Sequence, residues 1–328
     1  MYELLQAGPC SYYMDCPSKV GFIVLGEEVC LVDTGGDKDA GKKALRRAQE
    51  MGWRVKLVLN THSHADHIGG NHLVQQRTGA PIYAPGIEAA FVRWPVLEPA
   101  TAWGGCPPKG LRGKFWMAQP SEVLPAGEAP LPQGVELLRL DGHAPAHMAV
   151  KAPDGVWFVG DAVIGETTLQ KYHISFLYDI VELLRSLDVL EALEGTAFVP
   201  SHAPAVSDIR PLVQANRAAC EQVAANILEI CRAPHTGDEV LKALFDGYGL
   251  VLDMHQYAIC GATVRSYFAY LEEKGLLVVF APPAPGAGHC GKTGFAMCGK
   301  LCYTEQRKRA APRGAAGMKK ERSVMRYD

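Results

Sequence analysis

The segment THSHADHIGG at residues 61–70 places three histidines and one aspartate within six positions. It directly follows VKLVLN at 55–60, a short apolar run that predicts a β-strand. Imidazole nitrogens and carboxylate oxygens are ligands of zinc, whereas so many polar side chains without a partner would weaken a hydrophobic core. The segment therefore predicts a metal site at the carboxyl end of a strand, in a fold that brings further ligands to the same edge.

Three other predicted strands also deliver polar side chains at or just after their ends: VELLRLDGH at 135–143, VWFVGDAVI at 156–164 and AFVPSH at 197–202. Together with the first segment they supply seven candidate metal ligands: His62, His64, Asp66, His67, His143, Asp161 and His202. Seven donors suit two divalent ions. Asp161 can bridge both ions because its two oxygens can bind separate cations.

Strand and helix patterns alternate over residues 1–206, which predicts a single domain that contains the metal site. Within it, residues 91–134 are rich in proline and glycine and contain Trp103 and Trp116. A segment this long inside a compact domain predicts an insertion that covers the site. The alternative is a surface loop that its tryptophans anchor to the protein.

Beyond residue 206 the pattern changes to three helices and a strand over residues 207–280, an order typical of a winged-helix module. Thr236 and Glu239 have the spacing of a capping box. Residues 281–328 carry ten Lys or Arg against three acidic residues, and many Gly, Ala and Pro, which predicts a disordered basic tail.

Composition limits the class of protein. The 328 residues are 48% hydrophobic and 21% charged with a net charge of -2, so no global charge directs the chain to nucleic acid or membrane. No apolar run reaches the roughly 20 residues of a membrane span, and no signal-peptide pattern opens the chain, which favours a cytoplasmic location. The ten cysteines follow no disulfide or zinc spacing and are interpreted as reduced thiols.

The chain resembles the metallo-β-lactamase-fold hydrolases over roughly residues 10–206. The resemblance depends on five motifs in order: LVDTG at 31–35, THSHADH at 61–67, GH at 142–143, GD at 160–161 and SH at 201–202. It implies an α+β fold, an αββα sandwich with the site at one edge. The spelling of the motifs is most similar to that of glyoxalase II, the hydroxyacylglutathione hydrolase.

The resemblance also implies which residue binds which ion. The first metal would take His62, His64 and His143, the second Asp66, His67 and His202, with Asp161 as the bridge. Asp33 would orient a ligand, and such partners tune a metal site nearly as much as the ligands do. His147 lies in GHAPAH, where Ala144 and Ala146 depart from the usual GHTPGH, so we expect it to support a ligand and not to bind metal.

The function expected from this site is hydrolysis. Two divalent ions, zinc with iron or manganese as alternatives, would turn a bound water into a hydroxide nucleophile that Asp66 orients as the catalytic carboxylate. The expected substrate is a small-molecule ester, thioester or lactone. We expect four further residues to contact it: Trp103, Trp116, Tyr172 and His173.

Other functions stay open at this point. A metal-dependent nuclease or phosphodiesterase would account for residues 207–280, although that region has few basic residues for a phosphate backbone. An iron-dependent sulfur dioxygenase would use the same ligand types. A non-catalytic binding module would need a basic recognition helix, whereas 264–274 offers Arg265 and Lys274 alone. The expected partner is a small molecule and not a membrane; nucleic acid is less favoured, and a homodimer is left open.

Overall fold

The computed structural model of the chain describes residues 2–280 and a strand at 294–297. A seven-stranded sheet is built in chain order, antiparallel over its first four strands and parallel over the rest. Its strands are β1 (Glu3–Gln6), β2 (Ser11–Asp15), β3 (Val20–Leu25), β4 (Glu28–Val32), β5 (Arg54–Leu59), β6 (Ile82–Ala84) and β7 (Leu124–Pro125).

A four-stranded sheet has the spatial order β11-β10-β9-β8. Its strands are β8 (Glu136–Arg139), β9 (Met148–Lys151), β10 (Val156–Gly160) and β11 (Ala197–Pro200). β8, β9 and β10 are antiparallel, whereas β11 runs parallel to β10. The carboxyl ends of β10 and β11 therefore lie side by side.

Helices cover both sheets. They are α1 (Lys38–Glu50), α2 (Ala65–Ile68), α3 (Asn71–Thr78), α4 (Glu88–Arg93), α5 (Leu97–Trp103), α6 (Glu166–Tyr172), α7 (Ile180–Glu191), α8 (Arg210–Ile230), α9 (Gly237–Tyr248) and α10 (Met254–Glu273), with 3-10 turns at Lys109–Leu111 and Ala126–Glu128. None of the helices in the described part of the chain has the length and apolar character needed to cross a bilayer.

Three packed layers of side chains give the αββα sandwich. Apolar residues of both sheets meet in the middle, among them Leu57 of β5 and Phe158 of β10. Ala44 of α1 packs on the outer face of the first sheet, and Leu187 of α7 packs on the outer face of the second. The two sheets thus bury one face against each other and one against helices. The predicted α+β sandwich is confirmed.

The C-terminal helices α8, α9 and α10 are followed by β12 (Leu277–Phe280), in the predicted order. Thr236 and Glu239 form the predicted capping box at the start of α9. However, one buried apolar cluster extends from Leu140 to Leu277, so no break in the core marks the predicted boundary at residue 206. These helices are packed against the second sheet and complete its outer layer.

The predicted insertion contains regular elements, and most of the predicted tail lies outside the described residues. Residues 91–134 hold α5, β7, both 3-10 turns and part of α4, because short apolar stretches between the prolines pack against the domain. The prediction for residues 281–328 lies outside the described residues, except that Gly294–Met297 forms β13, antiparallel to β12. Among the described cysteines, all seven are free thiols: Cys10, Cys16, Cys30, Cys106, Cys220, Cys231 and Cys260.

Candidate metal centre

Three imidazole nitrogens converge at the end of β5. His62 and His64 lie on the extended segment after this strand, and His143 lies in the loop between β8 and β9. Nε2 of His62 and Nε2 of His143 are each 3.0 Å from Nδ1 of His64. Burial lowers the pKa of His64 to about 4 and that of His143 to about 3, and it also lowers the pKa of His62 well below the ordinary value. All three rings are therefore neutral near pH 7, the form in which imidazole binds metal.

A second group of donors lies beside the first. Asp66 and His67 are on the single turn of α2, and His202 follows β11. Oδ2 of Asp66 is 3.1 Å from Nε2 of His202 and 3.5 Å from Nε2 of His67. These three ligand atoms lie within 4.8 Å of one another, as do those of the first group.

Asp161 lies between the two groups. It directly follows β10, and its Oδ1 is 3.3 Å from Nε2 of His67. Its Oδ2 is 3.3 Å from Nε2 of His202 and 3.5 Å from Nε2 of His143. One carboxylate therefore contacts members of both groups. The structure brings all seven candidate ligands together at one edge of the sandwich.

The donor set fits bound metal. Nε2 of His67 and Oδ1 of Asp161 are buried, and although they lie 3.3 Å apart, neither forms a hydrogen bond of ordinary geometry with a described residue. A buried polar atom in this state is costly unless something else binds it. Each group offers at least three nitrogen or oxygen donors, which is the usual protein contribution to a catalytic zinc site. The residues that could hold metal are thus the two groups and the carboxylate between them.

Charge pairing dominates the metal-free second group. The charge of Asp161 raises the pKa of His202 to about 10, although burial opposes this. Burial also disfavours charge on His67, yet Asp161 and Asp66 raise its pKa well above the ordinary value. Burial disfavours an ionised Asp161 as well, but His202 and His67 lower the pKa of Asp161 well below the ordinary carboxyl value. Metal binding here must displace protons.

Asp33 fixes the orientation of His67. Its Oδ2 is 2.9 Å from Nδ1 of His67, and its carboxylate also accepts hydrogen bonds of 2.8 Å from the backbone N–H and the hydroxyl of Thr61. The residue has φ +60°, a conformation that Asp tolerates better than most residues. The Nδ1 contact directs Nε2 of His67 toward Asp66 and Asp161.

His147 supports the candidate ligand Asp161 through a hydrogen bond to its backbone. Its Nε2 accepts a hydrogen bond of 3.1 Å from the backbone N–H of Asp161, so the lone pair of this nitrogen is already used. Burial lowers the pKa of His147 to about 3, which keeps the ring neutral. A Cβ on Gly160 would lie 2.5 Å from Nε2 of His147, and Gly160 has φ +55°, so glycine is required at this position.

Two supporting residues were not predicted from the sequence. Glu88, at the start of α4, is buried and accepts hydrogen bonds of 3.0 Å from the backbone N–H groups of Ser63 and Ala146. It thereby connects the two segments that carry the first donor group. Ser18 donates a hydrogen bond of 2.6 Å to Oδ2 of Asp66. Neither residue belongs to a motif, so the sequence offered no signal for them.

Comparison with known proteins decides the family. A sequence profile of the metallo-beta-lactamase superfamily matches residues 13–202, more than half of the chain. The chain belongs to this superfamily. The match spans β3 to β11 and contains all seven candidate ligands of this metallo-beta-lactamase superfamily member.

Curated relatives of this superfamily member are similar at low identity. A hydroxyacylglutathione hydrolase of Maricaulis maris is 27% identical over 149 residues, 41% of this chain and 49% of the relative. The chain thus spans about half the length of that protein. A probable metallo-hydrolase of Bacillus subtilis, YybB, is 27% identical over 201 residues, 59% of this chain and 86% of the relative.

Solved structures agree on the fold. The metallo-beta-lactamase family protein TTHA1429 from Thermus thermophilus aligns with a TM-score of 0.65 and 22% identity, covering 90% of this chain and 98% of that one. A beta-lactamase domain protein from Burkholderia ambifaria aligns with a TM-score of 0.66 and 19% identity, covering 90% and 93%. Because residues 1–206 are less than two thirds of the chain, the likeness extends into the C-terminal helices.

A cavity of about 340 Å³ opens beside the first donor group of this superfamily member. His64 and Asp66 form part of its wall, and α10 contributes Ile259, Ala262 and Arg265 on another side. Glu98 of α5 also lines it, and burial, with the charge of Asp66, raises the pKa of this carboxyl well above its ordinary value. The predicted insertion and the C-terminal helices both contribute to this cavity.

The four residues expected to contact substrate lie in different places. Trp116 lines the cavity, and its indole N–H donates a hydrogen bond of 2.8 Å to His255 of α10. The other three are not among the residues that line it. The ring centroid of Trp103 lies 5.9 Å from that of Tyr257, and the ring of His173 stacks on Tyr248 with 4.4 Å between centroids. Tyr172 is an exposed residue of α6. Trp103, Tyr172 and His173 therefore do not line this cavity.

Proposed function

We propose that this chain is a dinuclear metal-dependent hydrolase that cleaves an ester, thioester or lactone bond in a small molecule, with zinc as its metal. The observation that carries the proposal is the position of Asp161 between two groups of donors, at the edge of a cavity large enough for a substrate. The assignment of the chain as a hydrolase is supported by its membership of the superfamily and by relatives that are named as hydrolases.

The chain's own residues have distinct tasks in this proposal. His62, His64 and His143 would hold one ion, Asp66, His67 and His202 the other, and Asp161 would contact both. When bound, a pair of divalent ions supplies Lewis acidity that activates water and polarises a carbonyl group. Asp66 is half-buried and lines the cavity, so its carboxylate can accept a proton from the attacking water.

The reaction consumes one water. A new bond forms between the water oxygen and the carbonyl carbon, and the bond from that carbon to the leaving oxygen or sulfur breaks. One water proton passes through Asp66 to the leaving group, which departs as an alcohol or thiol, and the other product is a carboxylic acid. The side chain of Ser63 does not serve as a nucleophile in this scheme, because its hydroxyl donates a hydrogen bond to Glu88.

The residues that line the same cavity also bear on the alternative functions. Among the described residues, Arg265 is the one Lys or Arg that lines it, which is few for binding a phosphodiester backbone. Sulfur dioxygenase chemistry would use the same donors with iron. A cytoplasmic location and a homodimer remain predictions.

The test combines metal analysis with a substrate panel. Purified full-length protein would be analysed for metal content and assayed on a neutral aryl ester, S-lactoylglutathione, a lactone and bis(4-nitrophenyl) phosphate. We expect two zinc ions per chain and cleavage of at least one carbonyl substrate, reduced more than about a hundredfold in His64→Ala. His72→Ala, at an exposed position of α3, is the matched control and should retain full activity.

Each other result counts against the proposal. Cleavage of the phosphodiester alone would favour a nuclease, and iron with oxygen consumption would favour a dioxygenase. A metal-loaded protein that cleaves nothing in the panel would contradict the assignment as a hydrolase of this class.

A further inference from the structure

The cavity beside the metal ligands has a mainly apolar wall. Its aromatic and aliphatic members come from the insertion, from the segment before α7 and from α10: Phe91, Phe115, Trp116, Phe176, Leu177 and Ile259. Phe176 also contacts both histidines on this side of the site, with ring centroids 5.0 Å from His64 and 5.9 Å from His143. The apolar surface thus begins at the metal ligands and continues away from them.

Few positively charged side chains line the cavity. Asp66, Glu88 and Glu98 contribute carboxyl groups, against the single guanidinium of Arg265 in the described part of the chain. Arg265 is on the exposed side of α10 and donates a hydrogen bond of 3.1 Å to the carbonyl oxygen of Ala102. An acyl group that carries a carboxylate would therefore meet one guanidinium among the described wall residues, and that guanidinium is already hydrogen-bonded within the protein.

The volume limits the size of the group that binds. A methylene is similar in size to a water, which occupies about 30 Å³ in the liquid, so 340 Å³ holds roughly ten such groups. Burying each methylene against this wall is favourable, so a chain that fills the cavity binds better than a shorter one.

We infer that the substrate carries an uncharged, apolar acyl group of about six to ten carbons, which packs between α10 and the insertion with its carbonyl beside His64 and Asp66. This inference rests on the proposed function, because it identifies the substrate class for the same hydrolytic site. The acyl group leaves as a carboxylic acid after the same consumption of water and the same transfer of a proton to the leaving oxygen or sulfur.

The first experiment measures chain length and charge separately. The zinc-loaded full chain would be assayed on 4-nitrophenyl esters from acetate to dodecanoate. We expect kcat/KM to rise about fourfold per methylene until the cavity is filled, and then to level off. The charge comparison uses two acyl groups of equal length on one leaving group, 4-nitrophenyl octanoate and the mono-4-nitrophenyl ester of octanedioic acid, which carries a carboxylate at the far end of the chain. We expect the neutral octanoate to be cleaved at least tenfold more efficiently.

The second experiment changes the wall. Ala262 lines the cavity from α10, whereas Ala269 is exposed on the same helix, so Ala262→Phe and Ala269→Phe are matched variants. We expect Ala262→Phe to shift the preferred ester by at least two carbons toward shorter chains, and Ala269→Phe to leave the profile unchanged. Ile259→Ala should shift it toward longer chains. Thermal unfolding of each variant shows whether it is folded.

A third readout does not depend on catalysis. Octanamide is a neutral analogue with an amide in place of the ester bond. Calorimetric titration would measure its affinity for wild type and for Ala262→Phe. We expect binding to wild type and at least tenfold weaker binding to the variant.

The outcomes separate the two proposals. Ester cleavage that is independent of chain length, or a preference for the ester of octanedioic acid over the octanoate, would overturn the inference while leaving the hydrolase in place. No cleavage of any substrate would overturn the proposed function. If octanamide also bound neither wild type nor Ala262→Phe, the inference that the cavity binds an acyl group would be overturned too.

Discussion

Nδ1 of His67 lies 2.9 Å from Oδ2 of Asp33, and both side chains are buried. The contact leaves Nε2 of His67 facing Asp66 and Asp161, where a metal ion would bind. Because the aspartate lies at the end of β4 and the histidine on α2, this hydrogen bond connects two separate motifs of the sequence. Its removal should weaken the metal site without removing a ligand.

Asp33→Asn should therefore lower metal affinity by about 10- to 100-fold, the usual cost of losing a partner that orients a ligand. Competition with a zinc chelator would measure the change. Asp39→Asn, at an exposed position of α1, is the matched control and should bind zinc as wild type does. Equal affinities in the two variants would show that Asp33 does not orient His67.

Zinc binding should release protons at pH 7.5. Asp161 raises the pKa of His202 to about 10, so this imidazole holds a proton in the metal-free protein and must lose it to bind metal. The apparent affinity should accordingly increase as pH rises toward 10. Calorimetry in buffers of different ionisation enthalpy would count the protons, and we expect at least one for the ion held by His202. A count of zero would contradict the charge pairing described above.

Gly160→Ala should destabilise the fold more than Gly26→Ala. Both glycines have positive φ, +55° and +70°, and alanine in that region costs about 1–2 kcal/mol. At Gly26 a Cβ meets no atom within 4 Å, whereas at Gly160 it would lie 2.5 Å from Nε2 of His147. Urea unfolding would compare the free energies, and Gly160→Ala alone should also bind less zinc. Similar losses in both variants would exclude the contact with His147 as a constraint.

Glu88→Gln should lower the free energy of unfolding by about 1–3 kcal/mol. The two carboxylate oxygens accept hydrogen bonds from the backbone N–H groups of Ser63 and Ala146, whereas an amide has one oxygen and can accept from only one of them at a time. Chemical denaturation would measure the loss. Glu273→Gln, exposed at the end of α10, should cost nothing measurable. A neutral Glu88→Gln would indicate that the two segments keep their positions without this carboxylate.

The metal ligands could be predicted from the sequence because each lies at or close to the end of a strand that its own apolar pattern reveals. His62 follows β5 and Asp161 follows β10, and strands of one sandwich end at a shared edge. The position of Asp33 within LVDTG was equally local. Only short-range patterns and the order of the motifs were needed.

The rest of the site depends on contacts between distant segments. Glu88 begins a short helix in a proline-rich region, where an acidic residue usually faces water, and its burial follows from packing that no local pattern encodes. The wall formed by α10 is also a tertiary feature, since more than 190 residues separate Ile259 from His64. Tyr172 and His173 are close to Asp161 in the sequence, but tertiary packing places neither of them in the wall of the cavity.

The hydrophobic cluster that crosses residue 206 gives α10 two roles at once, as a structural helix of the sandwich and as one wall of the cavity beside the candidate metal ligands. Substitutions along one stripe of that helix would change the shape of the cavity, while the candidate metal ligands, encoded more than 50 residues earlier, would be unchanged. Truncating the chain after His202 would keep every candidate metal ligand in the polypeptide but would remove both the packing that supports them and one wall of the cavity.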